Sequence, residues 1–130
     1  MTLEWSPDLE IGHRMIDNQH KQLVSLYNDL ITSAKEGKSM EEQERVLNFL
    51  CEYAVKHFAA EEAVQRRIDF PDYESHKRTH DAFKVTANEL YEKFKKHGPS
   101  PVLSAQIQQK VGEWLVNHIM GDDAKIGEYL

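Results

Sequence analysis

His57 and Glu61 stand four positions apart in a stretch whose apolar residues recur at helical spacing. Four residues make about one helical turn, so the two side chains share a face. Val46, Leu50 and Tyr53 lead into that face, which makes it the face a helix buries. Three further segments repeat the pattern. One carries His20, Leu23, Tyr27, Leu30, Ile31 and Ala34, and the next carries His76, His80, Phe83, Ala87, Leu90 and Phe94. The last carries Leu103, Ile107, Val111, Leu115 and His118, with Asp123 five positions further on. Ionisable groups are thus set repeatedly into stripes that a soluble chain must keep dry, and few folds accommodate that.

The breakers divide the chain into helices over about 17–36, 40–67, 72–96 and 101–120. Gly37 ends the first, and the Ser39/Glu42 capping-box pattern opens the second. The IDFPD stretch at 68–72 separates the second from the third. Ser100 as N-cap and Pro101 at the first helical position open the fourth, and Gly121 is the expected C-terminal cap. No strand pattern or repeat is visible. Short loops between helices predict an all-α, up-down-up-down four-helix bundle. Residues 1–16 form an extended arm, with Trp5, Leu9 and Ile11 packing on the bundle.

Composition narrows the partners. A net charge of −6 argues against nucleic acid and against anionic membrane surfaces, both of which select basic patches. No apolar run reaches the ~18–20 residues of a membrane span. The start MTLEWSPDLEIG lacks a signal-peptide layout, and the single cysteine, Cys51, suits a reducing compartment. A cytoplasmic protein is expected, and the sequence is compatible with a monomer.

The inward groups are His20, His57, Glu61, His76, His80, His118 and Asp123. Burying them unpaired costs several kcal/mol each, against a total domain stability of about 5–15 kcal/mol. Metal satisfies all these lone pairs at once. Five imidazoles and two carboxylates exceed the needs of one tetrahedral zinc and offer too few oxygens for calcium or magnesium. Imidazole with carboxylate suits a pair of iron ions. Five imidazoles, two bridging carboxylates counted twice and one shared oxygen counted twice fill eleven of twelve octahedral positions. One stays open.

In IDNQHKQL at 16–23, HFAAEE at 57–62, FPDYESHKRTH at 70–80 and WLVNHIMGDD at 114–123, the chain resembles the hemerythrins, in particular the bacterial ones. The resemblance covers nearly all of residues 1–130, as one hemerythrin-like domain. It implies reversible dioxygen binding, for storage, delivery or sensing, at an oxo- or hydroxo-bridged non-heme di-iron centre. His76, His80 and His118 would hold one iron. His20 and His57 would hold the other, which keeps the open position for dioxygen, small anions or nitric oxide. Glu61 and Asp123 would bridge. Trp114 and Leu115 match positions that line the oxygen pocket, and Ile119 and Phe58 join them. A di-iron enzyme (an oxidase, peroxidase or nitric oxide reductase) is the alternative, although an oxygen-binding protein without catalytic turnover is expected. With the chain ending just past the last ligand, a free-standing carrier is expected.

Gln65 stands where many relatives carry methionine. One turn after Glu61, its amide is expected either to donate to a bridging carboxylate or bound ligand, or to meet water at the bundle end. Asp69 replaces a common glycine and tolerates left-handed backbone. Glu62, about 100° around the helix from Glu61, is expected to face outward. His13 and His97 are expected to be solvated.

Overall fold

A computed structural model describes residues 2–130; Met1, the first residue of the expected arm, lies outside it. Helix α1 spans Arg14–Lys35, α2 Met40–Arg67 and α3 Tyr73–His97. The fourth rod is composite. It runs as α4 (Pro101–Ile107), a π-helical stretch Gln108–Glu113, α5 (Trp114–His118), a second π-helical stretch Ile119–Asp123, and α6 (Ala124–Gly127). Each rod packs against the next in sequence, as short loops require, giving the four-helix bundle. Among the described residues there is no strand, and no helix is long and apolar enough to cross a membrane.

Helix α1 begins a turn earlier than expected, and the arm ends at His13. That histidine is only partly solvated. It is half-buried and caps α1, its Nδ1 accepting from the Ile16 amide at 3.3 Å. Asp17, expected as the first helical residue, instead ties the arm down from inside α1. Its carboxylate accepts from the Ile11 and Gly12 amides at 2.8 and 3.2 Å. Gly12 takes φ 94°, a left-handed backbone that favours glycine. The arm is extended apart from one 3-10 turn at Pro7–Leu9. Leu9 and Ile11 are buried and Trp5 partly so.

Helix α2 shows a second departure. Its buried row runs through Leu47, Leu50, Ala54, His57, Phe58 and Glu61, leaving Val46 and Tyr53 only partly covered. Because α2 lies between α1 and α3, its buried arc is wider than one stripe. Glu62, expected outside, is 8% exposed.

The fourth rod supplies the third. Gly121 does not cap it, since the helix continues past it to Gly127. Gly112, in the first π-helical stretch, leaves room for Tyr27: a Cβ there would lie 2.5 Å from the phenol oxygen.

The apolar core divides in two. A large cluster takes Leu23 and Tyr27 from α1, Leu50 and Phe58 from α2, Phe83 and Leu90 from α3 and Leu115 from the fourth rod. A small one gathers Ile11, Ile16, Val64, Phe70 and Ile126. Along every rod, the inward histidines and carboxylates fall between these two clusters.

Candidate metal centre

Each rod delivers its donors through its own periodicity. On α2 and α3 the four-residue intervals of His57/Glu61 and His76/His80 place each pair on one face. His118 and Asp123 need another device. At about 100° per residue, five α-helical steps leave two side chains roughly 140° apart. The π-helical stretch Ile119–Asp123 bonds i to i+5, so one wider turn spans the interval and both residues face inward. Asp123 is fully buried.

All seven residues meet. His20, Glu61, His80 and Asp123 are 0% exposed, and His57, His76 and His118 are 1–4% exposed. Two sets of donor atoms lie within 4.8 Å of one another: Glu61, His76, His80, His118 and Asp123; and His20, His57, Glu61 and Asp123. The carboxylates belong to both sets, and their oxygens are shared out accordingly. Glu61 Oε1 lies 2.9 Å from His76 Nε2 and 3.2 Å from His80 Nε2, while Oε2 lies 3.3 Å from His20 Nε2 and 3.1 Å from His57 Nε2. Asp123 Oδ1 lies 2.8 Å from His76 Nε2 and 3.1 Å from His118 Nε2, while Oδ2 lies 2.9 Å from His20 Nε2. Each carboxylate therefore turns one oxygen toward each histidine group.

The electrostatics of the metal-free cluster are those of a cation site. Burial opposes ionisation of Glu61, yet hydrogen bonds from His20, His57, His76 and His80 hold its carboxyl well below the usual range. Burial and the Glu61 charge also oppose ionisation of Asp123, but His118, His20 and His76 bring it down to about 2. Burial disfavours the imidazolium of His20 and of His76, but Asp123 and Glu61 outweigh it and raise both to about 9. At His57 burial prevails and the pKa falls. Two ionised carboxylates in a dry core draw in positive charge, as protons or as metal.

The far sides of the rings favour metal. Nδ1 of His80 lies 2.8 Å from Glu62 Oε2, and Nδ1 of His118 lies 3.0 Å from Asp122 Oδ2. A proton donated there leaves two Nε2 lone pairs facing each other at 3.0 Å. A cation between them removes that conflict. The donor set and its crowding fit a pair of metal ions.

Glu62, Asp122 and Gln19, whose Oε1 lies 2.7 Å from His57 Nδ1, are contacts that sequence reasoning missed. Asp122 carried a signal, since it stands one helical turn from His118. Glu62 and Gln19 carried none beyond their neighbours.

Of the expected pocket residues, Phe58, Leu115 and Ile119 are buried and Trp114 is half-buried. Phe58 stacks on His80 at 4.0 Å and Trp114 on His118 at 4.4 Å, so both rings wall the three-histidine group. Gln65 is 0% exposed, and neither amide atom has a partner. It does not meet water at the bundle end. His97 is exposed, as expected, but it is the last residue of α3 rather than part of the loop before Gly98.

Comparison with known proteins agrees with this geometry. The chain is 32% identical over 122 residues to the bacteriohemerythrin of Pseudomonas paraeruginosa, covering 94% of this chain and 77% of that protein. It is 34% identical over 121 residues to a hemerythrin-like protein of Naegleria gruberi, covering 93% and 87%. A crystal structure of wild-type hemerythrin superposes with a TM-score of 0.88 at 27% identity, over 100% of this chain and 98% of the other. Residues 12–130 match the family described as the Hemerythrin HHE cation binding domain. This chain belongs to the hemerythrin family.

Proposed function

We propose that this chain binds dioxygen reversibly at a non-heme di-iron centre, for storage, delivery or sensing in the cytoplasm. The division of the Glu61 and Asp123 oxygens between two histidine groups supports this reading most, because a bridging carboxylate needs that arrangement. His76, His80 and His118 would hold one ion and His20 and His57 the other, with Glu61 and Asp123 shared between them. When bound, the ferrous pair supplies two electrons and an open coordination position for dioxygen.

The chain's own residues do the rest. Neutral imidazoles outnumber carboxylates, so the ligands donate little negative charge and the reduced state stays accessible. Phe58, Leu115 and Ile119 exclude water, and Trp114 closes the His118 side, so protons reach the centre slowly. Gln65, one turn beyond Glu61, has a buried amide with no partner in the metal-free chain, which leaves its N–H free to donate to a bridging carboxylate or bound ligand once the centre is occupied.

The test is anaerobic reconstitution with ferrous ions, an iron assay, and absorption spectra under argon, then air, then argon again. Two irons per chain and a colour that appears in air and fades under argon are expected. Fewer than two irons, or no colour in air, refutes the reading. Sustained oxygen consumption with a reductant, in place of a stable oxygenated spectrum, would identify an oxidase instead.

A further inference from the structure

The five imidazoles are not held alike. In the group of His76, His80 and His118, two rings turn Nδ1 to a carboxylate: His80 to Glu62 at 2.8 Å and His118 to Asp122 at 3.0 Å. In the other group, His57 turns Nδ1 to the neutral amide oxygen of Gln19 at 2.7 Å. The Nδ1 of His20 is buried without a partner.

This difference acts on any ion bound at Nε2. An Nδ1–H donated to a carboxylate fixes the tautomer, makes Nε2 more basic and brings a negative charge near the metal. A neutral amide fixes the tautomer only. An unpartnered Nδ1 does neither. The Glu62 side chain is 10% exposed, so water screens its charge little, while Asp122 at 48% contributes less.

Donor number points the same way. The first group counts five donor residues and the second four, and Glu61 and Asp123 are common to both. Once one ion has engaged an oxygen of each shared carboxylate, those carboxylates offer a second ion less charge. The second position is left with His20 and His57, the two rings that no carboxylate backs.

We propose that the two metal positions are unequal by construction. The position ringed by His76, His80 and His118 binds its divalent transition ion first and more tightly, and the position of His20 and His57 fills second. Glu62 and Asp122 set the first affinity, and Gln19 helps to set the second. The inference rests on the two-metal reading above. The single-metal form is then a discrete stage of assembly, with His20 and His57 still uncommitted.

The test is anaerobic titration of the full metal-free chain with Co²⁺, followed by visible absorption and by native mass spectrometry. At one equivalent, single-metal chains should predominate, with the two binding steps separated by at least about tenfold. Glu62→Gln should weaken the first step by roughly 10- to 100-fold, the usual cost of losing such a partner, and leave the second within about threefold. Gln19→Leu should do the converse. Asp122→Asn should weaken the first step by less, which keeps the comparison open should Glu62→Gln fail to fold. Only empty and two-metal chains at one equivalent would overturn the proposal. So would Glu62→Gln and Gln19→Leu weakening the same step. Saturation at one ion per chain would instead refute the two-metal reading, and the order of filling with it.

Discussion

Replacing Gln65 by methionine should change stability in opposite directions with and without iron. In the metal-free protein the Gln65 amide is wholly buried, and its nitrogen and oxygen lack partners. Such a group costs about 1–3 kcal/mol relative to an apolar one of similar shape. Methionine nearly matches glutamine in length and adapts to irregular space, so packing loss should stay below about 1.5 kcal/mol. Metal-free Gln65→Met should therefore be more stable by about 1–2 kcal/mol. That raises the melting temperature by roughly 3–10 °C for a chain of this size. On the proposed reading, in which Gln65 donates to a bridging carboxylate or bound ligand, the iron-bound wild type gains a bond worth about 1.5–3 kcal/mol that methionine cannot make. The advantage should vanish or reverse, and iron affinity should fall by roughly 10- to 100-fold through the same cycle. Urea unfolding of both proteins, with and without ferrous ions under argon, measures all four corners. Equal stabilisation in both forms would show that Gln65 does not engage the centre. Destabilisation of the metal-free form would show that its amide already has a partner, and either result refutes the reasoning.

Further outcomes follow from other parts of the structure. In the metal-free protein, His20 and His76 are raised from 6.5 to about 9 by Asp123 and Glu61 against the cost of burial. Their contribution is fully present below pH 6.5 and lost as pH climbs through about 9, so metal-free stability should fall by a few kcal/mol across that window. The iron-loaded protein, whose ligating imidazoles are neutral, should show no such alkaline loss and should shed metal on acidification instead. Urea midpoints from pH 5 to 10 on both forms check this, and parallel curves would contradict it. Gly127→Ala would place a Cβ 2.4 Å from the Ile11 carbonyl oxygen and should destabilise by about 1–3 kcal/mol, with faster amide exchange at Ile11 and Gly12. Deleting Gly121 should convert the π-helical stretch to regular helix and leave Asp123 four residues from His118, still on the inward face; circular dichroism and metal titration should show helicity and two-metal binding both retained, and loss of binding would contradict this geometry.

Legibility from sequence varied with how each residue is buried. The inward row of α3 reads directly because α3 shows one narrow stripe, from His76 to Phe94. The row of α2 reads less well, because its buried residues, including the neighbouring pairs His57/Phe58 and Glu61/Glu62, spread over an arc wider than one stripe. Glu62 was misplaced for that reason, although Glu61 next to it was not. The extension of the fourth rod past Gly121 was illegible, since a glycine after an apolar run signals a stop and a π-helical ladder has no residue signature. The five-residue interval between His118 and Asp123 was its one trace. The partners of His57 and His80 needed the fold, because they lie on faces that periodicity marks as polar, whereas Asp122, one turn from His118, carried a signal.

The backbone of Ile11 rests directly on Gly127, so the beginning and end of the described chain close on each other around the polar layer. The donors run from His20 to Asp123. During synthesis on the ribosome, the cage stays incomplete until Asp123, the last of these donors, has emerged. Capture of the full metal complement therefore waits for all four rods, and release before that point would yield helices without a complete cavity to hold the ions.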